Sequence, residues 1–247
     1  MNENPPEKTA PLDRLLDTLC HGSISVEGQF AWGSNYTYLA HVETDGRRLP
    51  AVYKPSRGQR PLWDFPEGDL PQREVAAYLT SASLGWDLVP PTVLRPDGPA
   101  GGGSLQLYVE ADPERHYFTF ENEVRQRLRP VALFDILVNN ADRKGGHVLM
   151  APDGHLWLID HGLCFHQDDK LRTVIWDFVD EPIPEPLLDD LRALRDQLQR
   201  GGQLHTEYAQ LIEGEEISAL ARRIDRLLAA RRFPQPGPER HYPWPLV

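Results

Sequence analysis

The densest polar cluster in the sequence is Asn139-Asn140-Ala141-Asp142-Arg143-Lys144-Gly145-Gly146-His147. It lies between a stretch that reads as an apolar helix, from Pro130 to about Val138, and an apolar strand, His147 to Met150. A plain connector there would be shorter and less charged. A second chemical segment, Asp160-His161-Gly162, finishes the apolar run Leu156-Trp157-Leu158-Ile159. A carboxylate ending a buried strand must be solvated, paired or bound to metal, because burial of a lone charge is prohibitive. The turn Pro152-Asp153-Gly154 joins the two strands into a hairpin, and antiparallel pairing returns Asp160 to the end that carries Asp142. Two carboxylates converging on one rim suit a hard divalent cation and an activated hydroxyl.

Two weaker signals precede them. Lys54 ends the strand Leu49 to Lys54 with apolar neighbours, and its charge calls for an anionic partner, either Glu74 on the following helix or a phosphate. Gly33-Ser34-Asn35 joins two strands; it offers backbone N–H groups and a hydroxyl to phosphate oxygens, and it also reads as an ordinary turn.

The elements that must position these groups follow from periodicity. Leu12, Leu15, Leu16 and Leu19 repeat at helical spacing, after which Ile24 to Phe30, Tyr36 to Val42 and Leu49 to Lys54 alternate as three strands of an antiparallel meander, with Asp45-Gly46 as a hairpin signal. Residues 55–71 form a loop, Gln72 to Ser83 a helix, Arg95 to Gly103 a Pro/Gly loop, and Leu105, Leu107 and Val109 a further strand. Near Ala111-Asp112-Pro113 strands give way to helices, two of which carry the leucine and isoleucine rows 187–198 and 217–228. The expected domains are a disordered terminus at 1–10, an N-lobe at 11–112, a helical C-lobe at 113–232 and a Pro-rich tail at 233–247, which either packs along the surface with Tyr242 and Trp244 as anchors or serves as a partner-binding segment.

The chain has 247 residues, of which 40% are apolar, enough for a sizeable core. Lys and Arg number 26 against 37 Asp and Glu, a formal charge of −11 that disfavours generic nucleic-acid binding. No apolar run reaches the roughly 18–20 residues of a membrane span, and the polar start shows no signal-peptide pattern. The two cysteines, Cys20 and Cys164, lack metal-type spacing and point to a reduced compartment. A cytoplasmic protein without a stable membrane anchor is expected. Arg222, Arg223, Arg226, Arg231 and Arg232 read as a solvated helix face rather than a lipid contact.

Taken together, Gly33-Ser34-Asn35, Val52-Tyr53-Lys54-Pro55, Arg73-Glu74-Val75-Ala76-Ala77-Tyr78-Leu79, Asn140-Ala141-Asp142-Arg143 and Leu158-Ile159-Asp160-His161-Gly162 resemble the phosphatidylinositol 3- and 4-kinase superfamily. The similarity is nearest to the type II 4-kinases and their bacterial relatives, extends more distantly to HipA-type kinases, and runs from about residue 23 to 180. It implies an α+β, two-lobed protein-kinase-like fold that binds ATP with Mg²⁺ or Mn²⁺. On this resemblance Ser34 and Asn35 sit over the phosphates, Lys54 contacts them and is held by Glu74, and Tyr108, Val109 and Glu110 meet the adenine at the hinge. Asp142 orients the attacking hydroxyl, Arg143 joins it in the catalytic set, and Asp160 binds the metal.

One departure is His147, which stands where the family supplies a metal-binding Asn five residues after the catalytic Asp. Imidazole prefers softer metals than Mg²⁺. Either the site takes Mn²⁺, or one metal position is weakened, or His147 binds phosphate. His161 is a second departure, replacing the usual Phe or Asn. A phosphotransferase acting on a protein or small-molecule acceptor, in preference to a membrane lipid, is the reading. The rivals are a nucleotide-binding pseudokinase, AMP transfer from the same site, and a metal-dependent hydrolase built on His147, His155, His161, His166 and the two aspartates, Asp142 and Asp160.

Overall fold

Alternating apolar residues in the first part of the chain pair into a five-stranded antiparallel sheet. Its strands are β1 (Ser23–Gln29), β2 (Tyr38–Thr44), β3 (Arg47–Pro55), β4 (Thr92–Arg95) and β5 (Gly103–Leu107), in the spatial order β1-β2-β3-β5-β4. The computed structural model describes residues 11–30, 36–44, 46–59, 65, 69–238 and 240–247. Ser34, Asn35 and Asp45 lie outside them. The register sets Ala40 opposite Ala51, Tyr38 opposite Tyr53, and Tyr53 opposite Leu105, so one face collects apolar side chains. Helix α1 (Pro11–His21) covers that face with Leu15, Leu16 and Leu19. Gly103 lets β5 approach β3 closely, since a Cβ there would stand 2.3 Å from the Lys54 carbonyl oxygen. β4 falls where the sequence suggests only the approach to a loop.

The chain forms two units, one of Met1–Gln59 with Pro91–Tyr108 and the other of Arg60–Pro90 with Val109–Val247. The sheet and α1 make the first. The second contains α2 (Leu70–Leu84), α3 (Asn122–Gln126), α4 (Arg129–Val138), the hairpin β6 (Val148–Met150) and β7 (Leu156–Leu158), α5 (Glu185–Gln197), α6 (Gln203–Tyr208) and α7 (Gly214–Ala230). Helix α4 is apolar nearly all round and lies in this unit's core with leucines and isoleucines of α5 and α7.

Helix α2, expected with the sheet, packs in the helical unit. The reason is electrostatic as much as apolar. Arg73 is fully buried, pairs with Glu216 on α7 at 2.8 Å and donates to the Cys164 carbonyl at 2.6 Å. Thr80 and Tyr208 share a hydroxyl hydrogen bond at 2.6 Å further along the same helix. Arg223, expected on a solvated face, turns inward and donates to the Leu137 carbonyl at 2.9 Å, ending buried. The tail also departs from expectation. Trp244 is 77% and Tyr242 45% exposed, while Pro243 and Phe233 are the buried side chains.

Candidate active site

The polar cluster begins where α4 stops. Asn139 takes the left-handed conformation (φ 55°) that ends the helix, which Asn tolerates better than most residues. Its side-chain amide donates to the His166 and Asp168 carbonyls at 3.0 and 2.6 Å. The Asn140 side-chain oxygen accepts from the Asp142 N–H at 2.9 Å, and Ala141 N–H donates to the Leu163 carbonyl at 2.8 Å. Asp142 therefore stands in a turn closed on both sides. Across the hairpin, the Ile159 N–H donates to the His147 carbonyl at 3.1 Å, continuing the β6–β7 pairing toward the loop. Asp160 follows with φ 63°, an uncommon conformation for a residue with a Cβ and one often retained at functional sites.

This pairing brings the acidic groups into one electrostatic neighbourhood. Burial pushes the Asp142 carboxyl above its usual range, Lys144 at 3.2 Å pulls it back, and the Asp160 charge pushes it up again. Asp160 faces His147, with 3.4 Å between Oδ2 and Nε2. Asp142 and Asp160 are 29% and 48% exposed, so both carboxylates remain open to solvent and ligand.

Beneath them lies a buried network. Asp135, on α4, and Arg143 are both fully enclosed, and Arg143 Nε reaches the two carboxylate oxygens at 2.9 and 3.1 Å. Thr173 donates to Asp135 at 3.0 Å. The same guanidinium donates to the Ile159 carbonyl at 2.7 Å and lies 2.8 Å from His161 Nε2. A guanidinium only donates, so Nε2 is the accepting nitrogen in this contact. Nδ1 stands 3.8 Å from Glu74 Oε2, which also accepts the His161 backbone N–H at 3.0 Å. One cation thus ties the loop before the hairpin to the segment after it, and Glu74 joins α2 to that segment. The Arg143 side chain itself has no exposed surface.

The remaining expected residues are placed as follows. Lys54 is half-buried on β3, opposite Ser104. Glu74 is buried on α2, in the other unit. The Tyr108 N–H donates to the Pro50 carbonyl at 3.0 Å, and the chain passes between units at Tyr108–Val109, with Tyr108 37% exposed. Among the described residues, no three His, Cys, Asp or Glu side chains form a group able to hold a metal by themselves. His155 bonds the Asp87 carbonyl at 2.7 Å and His166 takes the Asp168 N–H at 3.0 Å, each engaged separately from the carboxylate pair. Mg²⁺ commonly uses one or two carboxylates with phosphate oxygens and water, and the carboxylate oxygens here fit that demand. Asp135 and Thr173 were missed by motif reasoning. An Asp amid Val-Ala-Leu-Phe and Ile-Leu-Val is the available sign of the former, since such a charge requires a buried partner.

The family model described as phosphatidylinositol 3- and 4-kinase matches residues 69–228, and the chain belongs to that family. It is 42% identical to the protein Rv2133c of Mycobacterium tuberculosis, over 92% of this chain and 93% of that one. It is 33% identical to phosphatidylinositol 4-kinase gamma 4 of Oryza sativa over 55% of this chain, which spans only 25% of the plant protein. A crystal structure of the Helicobacter pylori proinflammatory kinase CtkA superimposes with a TM-score of 0.53 at 12% identity, covering 87% of this chain and 94% of that one. The fold is kinase-like, and the family points to a kinase-like phosphotransferase.

Proposed function

We propose that the chain transfers the γ-phosphoryl group of ATP, with Mg²⁺ or Mn²⁺, to a hydroxyl of a protein or small-molecule acceptor. The observation that supports this reading best is the electrostatic coupling of Asp142 and Asp160 at one end of a hairpin braced by Asp135–Arg143. Phosphoryl transfer is mostly positioning and charge neutralisation, and rigidly held carboxylates serve both. Asp142 accepts the acceptor hydroxyl's proton, a role helped by a carboxyl raised above its usual range and therefore a stronger base. Asp160 holds the metal, which supplies charge neutralisation on the phosphates when bound. His147 supports Asp160 from 3.4 Å, a role that fits the hard-cation preference better than direct ligation. Lys54, Ser34 and Asn35 take the phosphates, and the backbone of Tyr108, Val109 and Glu110 meets adenine. The free thiols of Cys20 and Cys164 accord with a cytoplasmic setting, and no described helix is long and apolar enough to cross a membrane.

Incubation of the protein and candidate acceptors with γ- or α-labelled ATP, in Mg²⁺ and then Mn²⁺, tests the reading. Label passing from the γ position alone is expected. Transfer from the α position would instead establish AMP transfer, and ATP binding without either would establish a pseudokinase.

A further inference from the structure

The loop that carries Asp142 is bounded on its outer side by two other stretches of chain. Arg143 bridges residues 172–174 through its N–H to the Arg172 carbonyl at 3.0 Å and through its own carbonyl, which accepts from Val174 N–H at 3.2 Å. Thr173 in turn donates its N–H to the His241 carbonyl at 3.1 Å, and the Trp176 indole N–H reaches the same oxygen at 3.3 Å. The segment then continues past the buried Pro243, and the Leu246 carbonyl accepts the Gly145 N–H at 2.8 Å. Contact there is close. A Cβ on Gly145 would stand 2.7 Å from the Phe118 ring and 3.5 Å from the Leu246 oxygen, and one on Gly146 would touch Val247 at 3.8 Å.

The Gly145 N–H opens a one-turn 3-10 helix, 145–147, so the turn itself offers it no acceptor. Gly145 is buried, and a buried N–H left without an acceptor is strongly unfavourable. Leu246 provides that acceptor, and His241 fastens the same segment to the stretch that bonds Arg143. The contacts run through backbone carbonyls, which explains how the segment is held while Trp244 projects into solvent.

We propose that residues 241–247 are a positioning brace for the catalytic loop: they fix the backbone at 143–147 and thereby the station of Asp142. The effect on turnover rests on the phosphotransferase reading, whereas the effect on loop order does not. The brace acts on the orientation of the base more than on nucleotide affinity, because it bonds the loop and not the residues assigned to ATP.

The test uses the full chain carrying Pro243→Asp, which places a charge at the segment's buried side chain. Amide exchange by mass spectrometry, ATP affinity by calorimetry and γ-phosphoryl transfer are compared with the unaltered protein. Expected are exchange at 143–147 faster by about tenfold or more, protection elsewhere in α4 and α7 unchanged, turnover lower by about tenfold, and ATP affinity within twofold. Trp176→Phe, which removes the indole donor to His241 and trims the ring that meets its imidazole, gives the same pattern in smaller measure and serves if the first variant does not fold. Faster exchange in 241–247 with none at 143–147 overturns the brace. A rise in turnover overturns it too, since the segment would then obstruct the loop. If the unaltered protein transfers no phosphate, the phosphotransferase reading fails, and the exchange result still decides whether the segment holds the loop.

Discussion

Arg143 in the helical unit and Arg95 in the sheet unit are both buried, yet they occupy different electrostatic situations. Arg143 faces Asp135, whose side chain has no exposed surface. Arg95 faces Asp97, whose side chain is 67% exposed, while another nitrogen of the same guanidinium donates to the Leu19 carbonyl at 2.9 Å. In the first pair neither charge reaches water, and each is solvated by the other and by buried hydrogen bonds. In the second, water solvates the carboxylate whether or not the arginine is present. Residue type and burial of the arginine alone therefore do not set its worth; the partner's burial does. The two carboxylates of the helical unit stand over an electrostatic support, whereas Lys54 is placed by a hydrogen-bonded strand ladder.

The largest expected effect separates the chemistry from its support. Asp142→Asn leaves the Asp135–Arg143 pair intact and is expected to lower phosphoryl transfer by roughly 10²–10⁴-fold, with ATP affinity retained in calorimetry. Stability should not fall. Burial raises the Asp142 carboxyl, so the folded protein holds that proton more tightly than the unfolded chain does. Its contribution to stability is present at low pH and lost as pH rises through the raised value, and an uncharged amide escapes that loss. For the same reason the Asp142 carboxyl of the metal-free protein should titrate above the ordinary 3.8 of an Asp, a shift that NMR titration would show and that Asp142→Asn would remove.

Arg143→Ala attacks the support itself. It strands the buried Asp135 carboxylate, and unfolding by urea should show a loss of about 3–5 kcal/mol, with transfer activity lost alongside. Replacing both members by Leu at 135 and Met at 143 should recover much of the stability while leaving transfer impaired, because Arg143 would no longer hold Ile159 and His161. Recovery of both would mean that the network serves stability alone.

The carboxylate pair was legible in the sequence because a strand, a Pro-Asp-Gly turn and a second strand fix a register, and register alone returns Asp160 toward Asp142. What the sequence pattern leaves open is which surface a buried helix meets. Helix α2 buries Arg73 and Glu74 as well as its alanines, so its pattern announces burial and not the partner. The four-residue β4 is too short to show alternation between a Pro pair and a Pro/Gly loop. Tyr242 and Trp244 failed as anchors because main-chain carbonyls, invisible to any composition argument, hold that segment.

Lys54→Met sharpens the contrast from the other side. Charged hydrogen bonds to phosphate contribute about 1.5–3 kcal/mol, so ATP affinity should weaken by roughly ten- to a hundredfold. The half-buried side chain sits in a strand whose ladder is made by backbone groups, so the unfolding free energy should stay within about 0.5 kcal/mol. A stability loss as large as that of Arg143→Ala would show that the lysine is part of the fold's support.

Arg95→Met carries the smallest effect and is the strictest test of the comparison. The methionine retains much of the aliphatic stem, so packing against the sheet is nearly conserved. Asp97 regains water at no cost, since it is already mostly exposed. What disappears is the hydrogen bond to the Leu19 carbonyl, near the end of α1, with a value of about 1 kcal/mol. The loss should be insensitive to added salt if the surviving term is that carbonyl bond, and should shrink in salt if the exposed ion pair supplies it. A cost near that of Arg143→Ala would mean that burial of the arginine, and not of its partner, governs both sites.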